Sequence, residues 1–290
     1  MTFSPVLISG ATGATGSVAT KLLLEKGCRV RAFVHEDDER AQKLKALGAE
    51  TYVGELLDFR AVRRAFEGIK RAYFVYPIRP GLVQATAQYA QAALEAKADF
   101  IVNMSQMTAR PDALSDSALQ HWLAERVFDW AGTPVTHLRP TVFNEWLLYV
   151  RKGIREGQYR VPFGPTGKSA TISAEDPGAV IAEILANPAP HAGQTYPLLG
   201  PVELTQPEIA EIVRQTLGKP VCYEQITGAQ WVEEASKAPG NPFLIQHASA
   251  VAEMHALGQT AGTNNVVEKI IGRKPQTVAE FVQKHRAAFQ

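Results

Sequence analysis

The run VLISGATGATG, residues 6–16, decides the fold of this chain. Its apolar start is typical of a short buried strand, and residues 17–26 carry apolar side chains at helical spacing. Between them, Gly10, Gly13 and Gly16 let the chain turn tightly, admit a pyrophosphate and bring the helix close to the strand. Such a turn presents backbone N–H groups and a positive helix-dipole end to an anion. The run therefore predicts a dinucleotide site, with a tight turn that holds no ligand as the alternative.

Composition excludes several classes of function. The 290 residues suffice for one large domain or two small ones, and a net charge of +1 gives no electrostatic reason to expect nucleic acid or an acidic membrane as a partner. The chain enters its first strand without a signal-peptide pattern, and no apolar run has the length of a membrane span. Cys28 and Cys222 match no metal-binding spacing. We predict a cytoplasmic protein with no metal site, no membrane contact and no direct contact with nucleic acid.

Strand and helix signals alternate as far as residue 150. The strands are predicted at residues 5–9, 30–34, 50–53, 72–76, 100–105 and 135–139. This alternation predicts an α/β fold, a Rossmann-type doubly wound parallel sheet in an NAD(P)-binding domain of residues 1–150. Ligands of such sheets bind at the carboxyl ends of the strands. Those ends carry the glycine turn, His35 and Glu36, Glu55 and Leu56, Pro77, Ser105, and Pro140 to Phe143.

The alternation loosens in the last part of the chain. Residues 151–290 are predicted to form a smaller, mainly helical substrate-binding lobe that closes over the cofactor edge. Asp176-Pro177 is typical of an N-cap with proline at the first helical position, and the helix at 177–187 either joins this lobe or packs back on the first domain. Capping-box spacings at Thr205–Glu208 and Thr227–Gln230 open two further helices, and Thr277 to Glu280 opens the last one.

The end of the second strand bears on the choice between NAD and NADP. Glu36 lies about twenty residues after Gly16, the usual distance for a carboxylate that holds the ribose diol of NAD. His35 and Arg40 could instead meet the 2′-phosphate of NADP. Both readings stay open from the residues alone.

Several stretches of the chain resemble the NmrA-like family of atypical short-chain dehydrogenase/reductase proteins. They are the glycine turn, VRAFV at residues 30–34, LRP at 138–140, EGIK at 67–70 and GRKP at 272–275. Their order is similar to that of the branch that reduces quinones, azo compounds and triphenylmethane dyes with NADPH. The resemblance implies a Rossmann fold and either NADP or NAD as cofactor, with NADP favoured by the resemblance alone.

The resemblance also implies cofactor contacts at matching positions. His35 falls where family members often carry an arginine for the 2′-phosphate, and Glu55 falls where an aspartate commonly meets the adenine. Pro77 and Ser105 match strand ends that line the cofactor. The positions that match the phosphate loop are Gly10, Thr12, Gly13, Ala14, Thr15 and Gly16.

Catalytic positions follow from the same resemblance. The reductase branch has a histidine and, five residues later, a lysine near the nicotinamide ribose, and the matching residues here are His121 and Arg126. Arginine donates hydrogen bonds but hardly releases a proton. His121 could protonate a reduced product or orient the nicotinamide amide, or it could be a histidine of the helix surface.

The chain lacks the Tyr-x-x-x-Lys pair that supplies the proton in typical members of the superfamily. A quinone-like acceptor is less demanding than a ketone, because positioning in a dry pocket suffices for hydride transfer to it. Phe143, Trp146 and Trp231 are candidates for the aromatic wall of such a pocket, with core packing as the alternative. Trp146 replaces an asparagine that is common in the family after strand six.

Two functions from different classes remain. The first is an NAD(P)H-dependent reductase of a quinone-like or other conjugated small molecule. The second is a non-catalytic redox sensor that binds the dinucleotide and regulates a protein partner. An isomerase or epimerase with a retained cofactor is a weaker third hypothesis, because no acid–base pair supports it. The helix from Val83 or the final helix could form a homodimer face, but its apolar stripe fits burial in the monomer equally well.

Overall fold

The computed structural model describes residues 5–236 and 238–290. They form two compact units that alternate along the chain. The first unit contains residues 5–106, 120–139 and 175–196. The second unit contains residues 107–119, 140–174 and those from 197 onward. The predicted division into a domain of residues 1–150 and a lobe of residues 151–290 stays a prediction.

Nine strands are present in the described part of the chain. They are β1 Val6–Ser9, β2 Val30–Val34, β3 Glu50–Val53, β4 Arg71–Phe74, β5 Phe100–Met104, β6 Val135–Pro140, β7 Gln158–Val161, β8 Thr195–Leu198 and β9 Cys222–Gln225.

Thirteen α-helices are present in the same described residues, with two short 3₁₀ turns at Ala189–His191 and Arg286–Ala288. The first seven are α1 Ala14–Glu25, α2 Glu39–Ala46, α3 Phe59–Ala65, α4 Leu82–Glu95, α5 Asp116–Ala131, α6 Trp146–Tyr149 and α7 Arg151–Arg155. The others are α8 Glu175–Ala186, α9 Gln206–Leu217, α10 Gly228–Ala235, α11 Pro242–Ala256, α12 Val266–Ile271 and α13 Val278–Lys284.

The main sheet has seven strands in the order β3-β2-β1-β4-β5-β6-β8. The pairs among its first six strands are parallel, and β1 lies between β2 and β4, with Val6 opposite Val30 on one side and Arg71 on the other. The strand order reverses beside β1, and an open α/β sheet binds ligands at such a point. The prediction of a Rossmann-type doubly wound sheet is confirmed.

An aromatic core fills one side of the sheet in the first unit. Phe66 of the α3 C-cap meets Tyr89 of α4 edge to face at 4.7 Å, and Phe74 of β4 meets Phe128 of α5 at 5.4 Å between ring centroids. All four rings are almost completely buried. Asp58 begins α3 as predicted, because its carboxylate accepts the backbone N–H groups of two residues in the first turn.

Helix α8 belongs to the first unit and packs closely against α1. A Cβ on Gly178 would lie 2.7 Å from Cβ of Val18 and 3.0 Å from the carbonyl oxygen of Thr15, so only glycine permits this approach. The Arg71 guanidinium donates to the carbonyl oxygen of Leu185 at 2.5 Å and satisfies the C-terminal end of α8. The predicted N-cap at Asp176 is wrong, because α8 already begins at Glu175 and contains Asp176 as a fully buried residue.

The second unit has its own hydrophobic core. Aromatic and aliphatic side chains from α9, α10, α11 and α13 surround the fully buried Phe281 and Phe289. Thr205, Thr227 and Thr277 each cap a helix, and the capping boxes with Glu208 and Gln230 are confirmed. Strands β7 and β9 pair in parallel as a separate two-stranded sheet.

The prediction of a mainly helical second part therefore missed three strands, β7, β8 and β9. Each has only four residues, and β9 carries mostly exposed or half-buried side chains, so none shows the apolar run of a central strand. None of the helices in residues 5–236 or 238–290 is long and apolar enough to cross a membrane.

Gly178→Ala tests the close packing of α1 and α8. We expect the free energy of unfolding to fall by about 1–3 kcal/mol, because the added methyl group overpacks a contact with backbone on one side. Gly164→Ala is the control, since its nearest neighbours are side-chain atoms of Gln225 at 3.8 Å, and its effect should stay within about 0.5 kcal/mol. Urea denaturation measures both, and equal effects of the two substitutions would contradict the packing argument.

Candidate functional site

The glycine turn connects β1 to α1 by a close backbone approach. Gly10 has φ of +56°, and the N–H of Gly13 donates to its carbonyl oxygen at 2.9 Å. A Cβ on Gly16 would lie 2.3 Å from that same oxygen, so no larger residue fits there. Helix α1 begins at Ala14 with no side chain capping its N-terminus and no acidic residue in its first turn. The first N–H groups of α1 are thus left for an anion, as a pyrophosphate requires.

The threonines of the turn face different surroundings. The Thr15 hydroxyl lies 2.9 Å from the Tyr73 hydroxyl in the interior, so it has a hydrogen-bond partner within the protein. Burial raises the pKa of Tyr73 far above its usual range, and the phenol stays neutral. Thr12 is half-buried, and Gly13 and Ala14 are exposed. Sequence reasoning missed Tyr73, which anchors the start of α1 from β4.

A charged cluster occupies the carboxyl ends of β2 and β3. One carboxylate oxygen of Glu55 contacts Nδ1 of His35, and the other lies 3.6 Å from Nη2 of Arg79. Nε2 of His35 lies 3.6 Å from Glu36. The structure thus brings His35, Glu36 and Glu55 together as the strand-end rule predicts. Leu56 instead packs in the hydrophobic core.

Two arginines near this cluster differ from expectation. The Arg40 guanidinium bonds Asp38 at 2.6 and 2.8 Å, and the same aspartate caps α2. Arg79, from the loop after β4, reaches Glu55 instead. Sequence reasoning weighed Arg40 as a phosphate partner and missed Arg79, although the strand-end rule applied to the loop after β4 could have found it.

The ends of β4 and β5 provide Pro77 and Ser105. Pro77 is exposed, whereas Ser105 is buried and donates its backbone N–H to Leu138 at 2.7 Å. Ser105 therefore sits where β5 and β6 end together. Pro140 ends β6 and accepts the N–H of Met107 at 2.9 Å, and both residues belong to the second unit.

A buried charged network lies between α5 and the strands β5 and β6. Arg139 of β6 binds the carboxylate of Glu125 with two hydrogen bonds of 2.8 and 2.5 Å, and Glu125 is fully buried. Burial is the largest single influence and raises the pKa of Glu125, but the hydrogen bonds and positive charge of Arg139, together with other polar neighbours, outweigh it and hold the pKa below its usual range. This carboxylate therefore stays ionised and is not a proton donor near neutral pH.

A second chain of polar contacts runs beside this ion pair. Asn103 of β5 lies opposite His137 of β6 and hydrogen-bonds its Nδ1 at 3.0 Å, while Nε2 of the same ring lies 3.1 Å from Asp129. Burial lowers the pKa of His137, which favours the neutral ring. These polar residues in predicted buried strands were the signal that sequence reasoning overlooked.

Helix α5 carries both predicted catalytic residues. Nη2 of Arg126 lies 2.9 Å from Asp129 and 3.6 Å from Glu125, so its charge is balanced within the helix. His121 is buried and lies five positions earlier, which places the two side chains about 140° apart around the helix axis. The structure thus puts them on different faces of α5, and their catalytic roles stay predictions.

The predicted aromatic wall lies in the second unit. Trp146 stacks on Trp231 with ring centroids 4.4 Å apart and contacts Phe163 at 5.2 Å. Phe143 and Trp146 line a cavity of about 20 Å³, which has room for roughly one water molecule. A quinone does not fit in that cavity, so the acceptor role of Phe143 and Trp146 stays a prediction. Within residues 5–236 and 238–290, no three His, Cys, Asp or Glu side chains form a group that could hold a metal ion.

The chain is similar to known proteins over nearly its whole length. The model of the NmrA-like family matches residues 2–285. The chain belongs to the NmrA-like family. A curated relative, an NAD(P)H azoreductase of Xenophilus azovorans, is 34% identical and aligns over 98% of this chain and 99% of its own length.

Solved structures of other proteins share this fold. The NADPH-dependent quinone oxidoreductase of Escherichia coli, complexed with NADPH, superposes with a TM-score of 0.84 at 24% identity and covers 97% of this chain and 99% of its own. The negative transcriptional regulator Nmra, complexed with NAD, superposes with a TM-score of 0.83 at 16% identity. The match covers 98% of this chain and 95% of the Nmra chain. At these identities the likeness concerns the fold.

Arg139→Met tests the buried ion pair. We expect it to lower the free energy of unfolding by about 3–5 kcal/mol, because Glu125 would be left buried and unpaired. Adding Glu125→Gln should restore much of that loss, so a double-mutant cycle from denaturant unfolding should be strongly non-additive.

Arg214→Met is the matched control for this cycle. Arg214 pairs with Glu211 at 2.5 Å, but both side chains are about half exposed, so its removal should cost less than about 1 kcal/mol. Similar losses for Arg139→Met and Arg214→Met would show that the Glu125 pair has no special weight.

His247, which contacts the residue before α5, should make the stability of the protein depend on pH. Its Nδ1 lies 2.8 Å from the hydroxyl of Ser115, which accepts the N–H of Ala118, and burial lowers its pKa from 6.5 to about 4. The unfolded histidine binds a proton below pH 6.5 while the folded one stays neutral to about pH 4, so stability is lost as the pH falls through that window. The loss reaches about 3 kcal/mol.

His247→Asn should remove this part of the acid sensitivity, because an amide keeps a hydrogen bond near Ser115 without titrating. Unfolding free energies of both proteins between neutral pH and the acid end of the window measure the difference. An identical pH dependence of the two proteins would show that His247 is not the group responsible.

Proposed function

We propose that this protein is an NAD(P)H-dependent oxidoreductase that transfers hydride to a quinone or a dye-like conjugated acceptor. The observation that carries the proposal is the contact of Gly16 with the carbonyl oxygen of Gly10, at the N-terminus of a helix that no side chain caps. That arrangement fits the pyrophosphate of a dinucleotide. The family membership and the azoreductase relative, alike over nearly the whole of both chains, support the same conclusion.

Different residues of this chain bind different parts of the dinucleotide. The backbone N–H groups at Ala14 and Thr15, in the first turn of α1, hold the pyrophosphate, and the cluster at His35, Glu36 and Glu55 receives the adenosine ribose. When bound, the reduced nicotinamide supplies the hydride. Pro77 and Ser105, at the ends of the neighbouring strands, line the cofactor.

Two features of the proposed site favour a conjugated acceptor over a ketone. The sequence has no Tyr-x-x-x-Lys pair, and Arg126 is neutralised by Asp129 and Glu125, so neither gives a strong acid for a ketone. A quinone or an azo group takes hydride into a conjugated system, and the resulting anion is a weak base. His121 is the residue that we assign to its protonation or to orientation of the nicotinamide.

A second candidate is a redox sensor that binds the dinucleotide and acts on a protein partner. The pairing of Arg126 with two carboxylates favours it, because a side chain so held is a poor proton donor. The name of the structural neighbour Nmra, a negative transcriptional regulator complexed with NAD, is consistent with it. The azoreductase relative favours the enzyme. We propose a location in the cytoplasm for either function.

Stopped-flow absorbance decides between the two candidates. Purified protein is mixed with NADH or NADPH, with and without a simple quinone or azo dye. We expect acceptor-dependent loss of the reduced nicotinamide signal, and His121→Gln should lower kcat by about 10²-fold while the Kd of the cofactor stays within about twofold. Tight binding of both cofactors without oxidation by any acceptor would favour the sensor.

Gly16→Val is the binding control for that experiment. Its side chain overlaps the carbonyl oxygen of Gly10, so the variant should lose cofactor binding and turnover together. Circular dichroism checks that it still folds. Turnover that survives this substitution would contradict the placement of the cofactor on the glycine turn.

A further inference from the structure

The loop between β4 and α4 brings a guanidinium to the carboxyl ends of β2 and β3. We propose that Arg79 acts with His35 to bind the 2′-phosphate of NADP, and that Glu55 competes with the phosphate for both side chains. The protein then accepts NAD as well as NADP, and Glu55 sets the balance between them. This inference rests on the proposed function, because it concerns the adenosine end of the same dinucleotide.

The geometry of Glu55 carries the first step. Its two carboxylate oxygens face different side chains, with one in contact with His35 and the other 3.6 Å from Arg79. The distance to Arg79 exceeds that of a hydrogen bond, so the guanidinium keeps its donors for a ligand. All three side chains are substantially exposed, at 67%, 44% and 47% for His35, Glu55 and Arg79, so a nucleotide can reach them.

Arg79 is held in place by its own loop. Its guanidinium carbon lies 5.2 Å from the centre of the Tyr76 ring, and its backbone N–H donates to Pro77 at 2.8 Å. The Tyr76 hydroxyl donates to Pro80 at 3.1 Å, and Gly81 closes the loop with φ of +106°. A preformed loop loses little conformational freedom when a ligand binds, which favours affinity.

The alternative arginine is already occupied. Arg40 bonds Asp38 through two nitrogens at 2.6 and 2.8 Å, and Asp38 also caps α2 with its other oxygen. Releasing Arg40 would leave that carboxylate without its cation. Arg79 gives up only a 3.6 Å contact, so it is the guanidinium that a phosphate can recruit.

The chemistry explains the selectivity. A guanidinium binds a phosphate dianion through two parallel hydrogen bonds, whereas the uncharged ribose diol of NAD gains nothing comparable from it. Glu55 and Glu36 both oppose a 2′-phosphate by like charge. Removal of the Glu55 charge therefore frees Arg79 and His35 and strengthens NADP binding, whereas removal of the Arg79 charge weakens it.

Isothermal titration calorimetry with adenosine 2′,5′-bisphosphate and 5′-AMP tests the inference without any turnover. Arg79→Gln should weaken the bisphosphate by about 10- to 100-fold and leave 5′-AMP within about twofold. Arg79→Lys should fall between the wild type and Arg79→Gln, because it keeps the charge but loses the paired donors. Glu55→Gln should strengthen the bisphosphate about 3- to 10-fold.

Arg40→Gln is the matched control, since it removes the same charge nearby and should change either affinity by less than about twofold. The inference is overturned if Arg79→Gln leaves the bisphosphate unchanged, if it weakens both nucleotides equally, or if Arg40→Gln matches its effect. In those cases the wild type still binds NADH or NADPH, and the proposed function stands. Failure of the wild type to bind either dinucleotide overturns the proposed function and the inference together.

Discussion

The close approach of Gly16 to the carbonyl oxygen of Gly10 is the constraint on which the rest of the first unit depends. It places the N-terminus of α1 directly over the end of β1, where the strand order reverses. On the outer side of α1, Gly178 allows α8 to pack closely against Val18, because glycine has no Cβ. Small residues thus fix α1 from both sides, and the anion-binding end of the helix is positioned by packing rather than by side-chain caps.

Buried charge plays a second positioning role. The Glu125–Arg139 pair and the contacts of His137 with Asn103 and Asp129 join α5 to two strands of the sheet. Such networks hold an element in one register, because any slip would leave a buried charge without its partner. Helix α5 carries His121, so the network fixes the residue to which we assign the proton chemistry.

Much of the architecture could be predicted from local patterns. The alternation of strands and helices and the capping residues Asp58, Thr205 and Thr227 could be predicted, because each depends on residues close in sequence. The N-cap at Asp176 was wrong, since the helix begins two residues before Pro177, at Glu175, and Asp176 is a fully buried residue within it. The strands β7, β8 and β9 were missed because each has only four residues and none carries the apolar run of a central strand.

The sequence by itself determined the glycine turn, the doubly wound sheet and the strand ends at which a ligand can bind, because periodicity and glycine spacing act over a few residues. Only the tertiary structure decided which charged groups meet there. Arg40 pairs with Asp38, two residues away, whereas the fold brings Arg79 to Glu55 from the loop after another strand. Ion pairs form between side chains that the fold brings within a few ångströms, and no local pattern records that distance.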